Sequence, residues 1–333
     1  SVAGHIEEIT VAESQPEAFT RPTSRKAEAH DAKDNAPAHL DHRLATFAEE
    51  RYDLRHNLLT GQAEFRPKGQ DAAAFLPLTA RDLNSLCLAA HEAGIPCWDR
   101  DVSRFVASDR LPDYHPFRDY FDRLQPWDGE DRLDALARRV SDRALWVRGF
   151  RRWMLAVAAQ WMRMGDDHAN SMAPVLVSGR QGLGKSTFCR NLLPPELSAY
   201  YTDSVDVANT ARMEQLLVEM GLINLDEFDR IPVRRHPALK NVMQLTDLHV
   251  RKAYRRDTLR LPRMASFIAT SNSHELLSDP SGSRRFLCVE VERPIDSTNI
   301  EHAQIYAQLK AMLLGGEHHA VSYTHLRAHA TTL

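Results

Sequence analysis

The stretch "APVLVSGRQGLGKSTFCRNLL" (173–193) runs an apolar strand into a glycine loop and then a helix. Gly179 through Ser186 satisfies G-x-x-x-x-G-K-S, a pattern whose glycines let successive backbone N–H groups curl round a phosphate. The helix that follows brings its positive N-terminal end to the same point. Gly179, Arg180, Gln181, Gly182, Leu183, Gly184, Lys185, Ser186 and Thr187 therefore read as a nucleotide cradle. Lys185 is placed to reach the β- and γ-phosphates of ATP, and the Ser186 hydroxyl to ligate Mg²⁺. The plain alternative is a chance match in a Gly-rich turn. Strand and helix flanking the motif in the required order argue against it.

Three later segments carry complementary chemistry. "GLINLDEFD" (221–229) is an apolar strand ending in Asp226-Glu227. Taken alone, an acidic pair after a strand is usually the start of a solvated loop. About 40 residues after a phosphate loop it reads as a Mg²⁺ ligand, Asp226, beside a residue that polarises the attacking water, Glu227. Asp229 is either a helper to that pair or a helix cap. "MASFIATSN" (264–272) is another strand, whose tip offers Asn272 to orient water near a γ-phosphate; a plain Ser-Asn turn is the alternative. In "DPSGSRRFLCVEV" (279–291), Arg284 and Arg285 stand between a Ser/Gly loop and a strand. Either is suited to reach a neighbouring subunit's phosphate as an arginine finger, or the two form a structural pair salt-bridged to nearby acids.

The chain must supply elements that hold these groups together. Its 333 residues, 43% of them hydrophobic, suffice for one large or two moderate domains. No apolar run is long enough to span a bilayer, so no membrane partner is expected. A net charge of −3 means that any nucleic-acid contact must come from local clustering. Cys87, Cys97, Cys189 and Cys288 include no C-x-x-C pair that would suggest zinc, and read as reduced thiols of a cytoplasmic protein. The first residue is Ser1, so the chain reads as a piece of a longer polypeptide.

Residues 1–48, rich in Ala, charged residues, Ser and Pro, read as a disordered linker. Residues 49–165 read as a small N-terminal domain: a hairpin turning at Thr60-Gly61, then helices over 78–95, 99–108, 115–125, 130–141 and 143–164. Thr79 fits an N-cap and Gly94 a C-terminal stop. The stripe Trp146, Phe150, Trp153, Met154, Val157 and Trp161 reads as core, not as a ligand box. Residues 166–318 alternate short apolar strands with chemically loaded turns, the mark of an α/β domain with a mostly parallel sheet. The remainder, 319–333, lacks periodicity and reads as a non-native tail.

The order of motifs resembles a helicase-type AAA+ ATPase. More specifically, "LVSGRQGLGKSTFCRNLLP", "INLDEFD", "ASFIATSN" and "PSGSRRF" resemble the virulence-associated protein E family of phages, plasmids and genomic islands. That family is similar to superfamily 3 and poxvirus-type primase-helicases. The resemblance spans roughly 50–316 and implies an AAA+-like P-loop fold preceded by a small, mainly helical domain. It implies a ring-shaped, hexameric homo-oligomer that hydrolyses ATP with Mg²⁺ and acts on single-stranded DNA in replication. Relatives often carry a primase-type module upstream; none is visible here. The resemblance assigns nucleotide binding to Gly179–Thr187, metal and hydrolysis to Asp226 and Glu227, sensing to Asn272, and the finger to Arg284 or Arg285.

It also gives a place to "HVRKAYRRDTLRLPR" (249–263), a basic run in a mildly acidic chain. In superfamily 3 enzymes this interval holds a hairpin that projects into the channel. On that pattern Arg251, Lys252, Arg255 and Arg256 contact phosphates and Tyr254 stacks on a base. A solvated hairpin is the bland alternative. Two other functions remain open from sequence. One is an ATP-gated remodelling or binding module with a protein partner; the other, less favoured, is a small-molecule kinase.

Overall fold

The structure, a computed structural model, describes residues 36–164, 169–250, 259–275 and 285–316. Its centre is a five-stranded sheet of β5 (Ala173–Val177), β6 (Tyr201–Thr202), β7 (Leu222–Leu225), β10 (Ser266–Ser271) and β11 (Phe286–Glu290). The order is β11-β5-β10-β7-β6, and every pair is parallel. Parallel strands need covered faces, and the sequence provides for two. Leu176, Leu222, Ile268, Leu287 and Val289 point into one core. Their neighbours Val175, Val177, Ile223, Leu225, Phe267 and Ala269 point into the other, as a period of two requires.

The first core is roofed by α6 (Ala144–Trp161) and α10 (His302–Leu314). Trp146, Phe150, Trp153 and Trp161 are buried, as their spacing leads one to expect. The Trp146 and Trp161 ring N–H groups donate to the Ala137 and Gly221 carbonyls, at 2.8 and 3.3 Å. Gly149 lets α6 approach β11, since a Cβ there would lie 2.4 Å from a Leu287 methyl. The second core is closed by α8 (Thr210–Glu219) and α9 (His236–Val242).

Upstream, α1 (Ala36–Arg51), α2 (Ala80–Glu92) and α3 (Asp99–Val106) pack on a small sheet. Its strands are β1 (Tyr52–Asn57), β2 (Ala63–Pro67), β3 (Leu76–Pro77) and β4 (Asp113–Tyr114), in the order β3-β2-β1-β4. The β1–β2 hairpin turns at Gly61 with φ +70°, and Thr79 caps α2 in a reciprocal capping box with Asp82. The linker expected through residue 48 is corrected from Ala36 onward. There α1 is helical, and Leu44, Ala45, Phe47 and Ala48 are buried at a helical spacing against α2 and α3. The helices α4 (Pro116–Arg123) and α5 (Leu133–Arg138) share the first core with α6. Among the described residues no helix is long and apolar enough to cross a membrane.

The basic run resolves into distinct parts. β8 (Asp247–Val250) and β9 (Leu259–Pro262) pair antiparallel, Val250 opposite Leu259, as the hairpin reading expects. Arg251, Lys252, Tyr254, Arg255 and Arg256 lie outside the described residues. Arg260 pairs with Asp247 at 2.9 Å. Arg263 belongs to no basic face. It is buried and donates to the carbonyls of Ala265, Met243 and Asn170 at 2.6, 2.6 and 3.0 Å. Truncation would take the guanidinium donor from the buried Met243 and Asn170 carbonyls, while Ala265 would keep Gln160 Nε2 at 2.7 Å, so Arg263→Ala is expected to cost roughly 3 kcal/mol. For a body of this size, thermal unfolding should then fall by roughly 6–12 °C. Arg263→Lys should recover only part of this, because one ammonium cannot replace the planar fork.

Candidate functional site

Because all five strands run the same way, their C-terminal ends collect on one edge, where open α/β sheets place ligands. β5 leads through Ser178 into the glycine loop, which ends at α7 (Lys185–Arg190). Gly182 and Gly184 hold φ of +78° and +80°, a region costly for residues with a Cβ. Ile295 closes behind the loop, donating its N–H to the Leu183 carbonyl at 2.9 Å. Among the described residues nothing accepts from the backbone N–H groups of Gln181 to Ser186. Unspent donors in one curl suit an anion.

Lys185 is only 8% exposed. Its Nζ donates to the Ser178 carbonyl at 3.3 Å and to Asn272 Oδ1 at 3.1 Å. Burial lowers its pKa, against the pull of Asp226 and Asp229. Ser186 Oγ donates to Asp226 Oδ1 at 2.8 Å, and the Thr270 hydroxyl donates to the same oxygen. A hydroxyl and a carboxylate side by side are the hard oxygen donors that Mg²⁺ takes. Asp229 acts from behind, accepting from the Ser271 hydroxyl at 2.8 Å and the Asn272 N–H at 3.0 Å. Burial alone would raise its pKa, but these two bonds outweigh burial and hold it below the usual value. It is thus a helper to the strand tip and not a helix cap.

Glu227 has φ +50°, and its N–H donates to Thr270 Oγ1 at 3.2 Å. Its carboxylate pairs with Arg230 at 2.7 Å. Gly179 N–H donates to His274 Nε2 at 3.0 Å, and His274 Nδ1 lies 3.5 Å from Glu290 Oε1. A ring that accepts at Nε2 carries its proton on Nδ1, facing that carboxylate. A Cβ on Gly179 would sit 2.8 Å from His274 Nε2, so a larger residue there would push the exposed imidazole off this N–H.

The structure therefore brings Lys185, Ser186, Asp226 and Asn272 together, with Glu227 next to them but turned to Arg230. Arg284 lies outside the described residues. Arg285 stands at the start of β11, its carbonyl accepting from Ala173 N–H at 2.7 Å. Phe286 pairs with Ala173 and Glu290 with Val177, so Arg285 is at the opposite end of the strand from the loop, about 20 Å away at the usual rise over the six residues from its level to Ser178. Sequence reasoning missed Ser178, Thr270 and His274. The Thr270 signal lies in "ATSN", where hydroxyl residues take over at the end of an apolar strand.

Fold and site define a mixed α/β protein that gathers a buried lysine, hydroxyls and carboxylates at one edge of a five-stranded parallel sheet. A family model described as the virulence-associated protein E-like domain matches residues 121–331. The chain belongs to that family. The match runs on into 319–333, a segment outside the described residues. Among curated proteins none matches. Solved structures similar to the chain include apo forms of the NrS-1 C-terminal region. One is 13% identical with TM-score 0.44, covering 78% of this chain and 63% of the other. A second is 14% identical with TM-score 0.48, covering 85% and 68%, and a third is 12% identical with TM-score 0.47, covering 80% and 68%. The chain thus spans less than two thirds of the first of these.

Proposed function

We propose that this chain is an ATP-hydrolysing, helicase-like protein of AAA+-type P-loop fold, acting in the cytoplasm in DNA replication of a phage, plasmid or genomic island. The observation that carries the reading is the meeting of Lys185 with Asn272, and of Ser186 with Asp226, beside a loop of unspent N–H donors. Magnesium-bound ATP would supply a γ-phosphoryl group open to in-line attack by water. Within the 179–187 cradle the open N–H groups of Gln181 to Ser186, with Lys185, would bind the phosphates, while Ser186 and Asp226 would hold the cation. Glu227, released from Arg230, takes a proton from the attacking water, and Asn272 orients that water. The position of Arg285 favours a finger acting on a neighbour's nucleotide in a hexameric ring, with Arg284 as its equal candidate.

Single-stranded DNA is the proposed substrate, gripped by Arg251, Lys252, Tyr254, Arg255 and Arg256, which lie in sequence between β8 and β9. Phosphate hydrolysis is to be measured with and without single-stranded DNA, beside sizing with a non-hydrolysable nucleotide. Stimulated turnover and an assembled ring are expected. A persistent monomer indifferent to DNA would sink the helicase reading and leave an ATP-gated module working on a protein. A second measurement separates grip from hydrolysis. Arg255→Ala with Arg256→Ala should flatten the salt slope of DNA binding by roughly 1.4, two phosphates' worth on a single strand. DNA-independent turnover should be unchanged; equal loss of both would mark a structural role.

A further inference from the structure

Outside the glycine-loop site, three side chains of metal-ligand type converge in the upstream unit. Cys87 and His91 lie one turn apart on α2 and so share a face. After the helix the chain reverses at Gly94, φ +76°, and returns Cys97 to that face. The two sulfurs and the imidazole nitrogen all lie within 4.8 Å of one another. Cys97 is buried, Cys87 half-buried and His91 exposed. Cys87 Sγ is 3.6 Å from the Cys97 carbonyl, to which His91 Nε2 is also bonded. The ring of Trp98 stands edge-on to His91, with centroids 6.5 Å apart.

We infer that Cys87, His91 and Cys97 bind a divalent cation of the zinc class, with water in the fourth position on the exposed side of His91. Two sulfurs and one imidazole select such a cation over magnesium or calcium, which take oxygen. Tetrahedral sulfurs on zinc stand about 3.8 Å apart, within small side-chain rotations of the present spacing. On binding, each thiol gives its proton to solvent as its sulfur–metal bond forms, the imidazole binds neutral, and no electrons move. The site has a structural purpose. Among the described residues the core of this unit comprises eleven buried side chains, and small cores commonly need a cross-link. The metal would tie the end of α2 to the segment entering α3. The spacing C-x₃-H-x₅-C escapes a search for C-x-x-C pairs.

The test uses the whole chain, reduced and stripped of metal, titrated with Co²⁺ as the probe. One Co²⁺ per chain is expected, with tetrahedral d–d bands and a thiolate-to-cobalt charge-transfer band, displaced by Zn²⁺. Cys87→Ser and Cys97→Ser should each abolish the thiolate band, and Cys288→Ser should keep it. A wild-type measurement guards against variants that fail to fold. Zn²⁺ should slow alkylation of Cys87 by at least about tenfold while leaving Cys288 unchanged, as mapped by mass spectrometry. The inference is overturned by the absence of a thiolate band or by a band that survives Cys87→Ser. It is equally overturned by unprotected Cys87, or by a Cys87–Cys97 disulfide that forms in preference to the metal complex.

Discussion

Replacing Lys185 with alanine is expected to lower ATP turnover by at least about 10²–10³-fold, the usual loss when one preorganised electrostatic contact to the reacting group is removed. On the proposed reading, the placement of the lysine suits this task. Its ammonium is buried, desolvated, and fixed between the Ser178 carbonyl and Asn272 Oδ1. Asp226 and Asp229 favour its charge against the penalty of burial. A cation poised in this way strengthens when phosphate charge arrives beside it, because little solvent remains to screen the interaction. Fold stability should hardly change, since the same burial makes the unliganded ammonium unfavourable. Lys185→Met keeps the stem and removes the charge, and should lose turnover equally. Steady-state phosphate release checks the rate, and a fluorescent nucleotide analogue checks binding. Retention of turnover within about tenfold of the unmodified chain would refute the phosphate-loop reading.

The double change Arg284→Ala with Arg285→Ala is expected to reduce turnover on the order of 10³-fold while leaving nucleotide binding intact. The reason is geometric. Arg285 begins β11 beside Ala173, whereas the glycine loop follows the far end of β5, so one subunit does not bring the two together. If the arginine serves a neighbour, two inactive proteins should rescue each other. Mixing Lys185→Ala chains with the arginine double variant creates some interfaces that carry an intact loop on one side and an intact arginine on the other. In a random closed ring these are about a quarter of all interfaces. A corresponding recovery of phosphate release supports action between subunits. Proven co-assembly without recovery would discard it and return the pair to a structural role.

The parts of this molecule that local chemistry dictates were legible. Gly182 and Gly184 stand where backbone needs positive φ, Thr79 where a helix needs a cap, and the tryptophans of α6 at the spacing that one buried face demands. What tertiary placement decides was not legible. Thr270 meets Asp226 because β10 lies between β5 and β7, an order that no stretch of sequence states. Arg263 looked like one more surface charge, and only the three carbonyls round it make it a core residue. α1 carries few large apolar side chains, and its helix is held by what packs on it. His274 was a lone histidine until the sheet set it over Gly179.

The aromatic contacts around α4 bear on how the protein can be dissected. The family match opens at residue 121, inside a helix whose Phe117 lies 4.5 Å from the Trp161 ring and 5.4 Å from that of Tyr200. Asn57, fully buried on the upstream hairpin, donates to Tyr200 Oη at 2.9 Å and to Glu64 at 2.7 Å. A fragment started at the edge of the match would therefore lack one wall of its own interior and expose rings that Phe117 now covers. A fragment that keeps these contacts must include α1 and the β1–β2 hairpin. The span matched by the family model is thus smaller than the packed unit it belongs to.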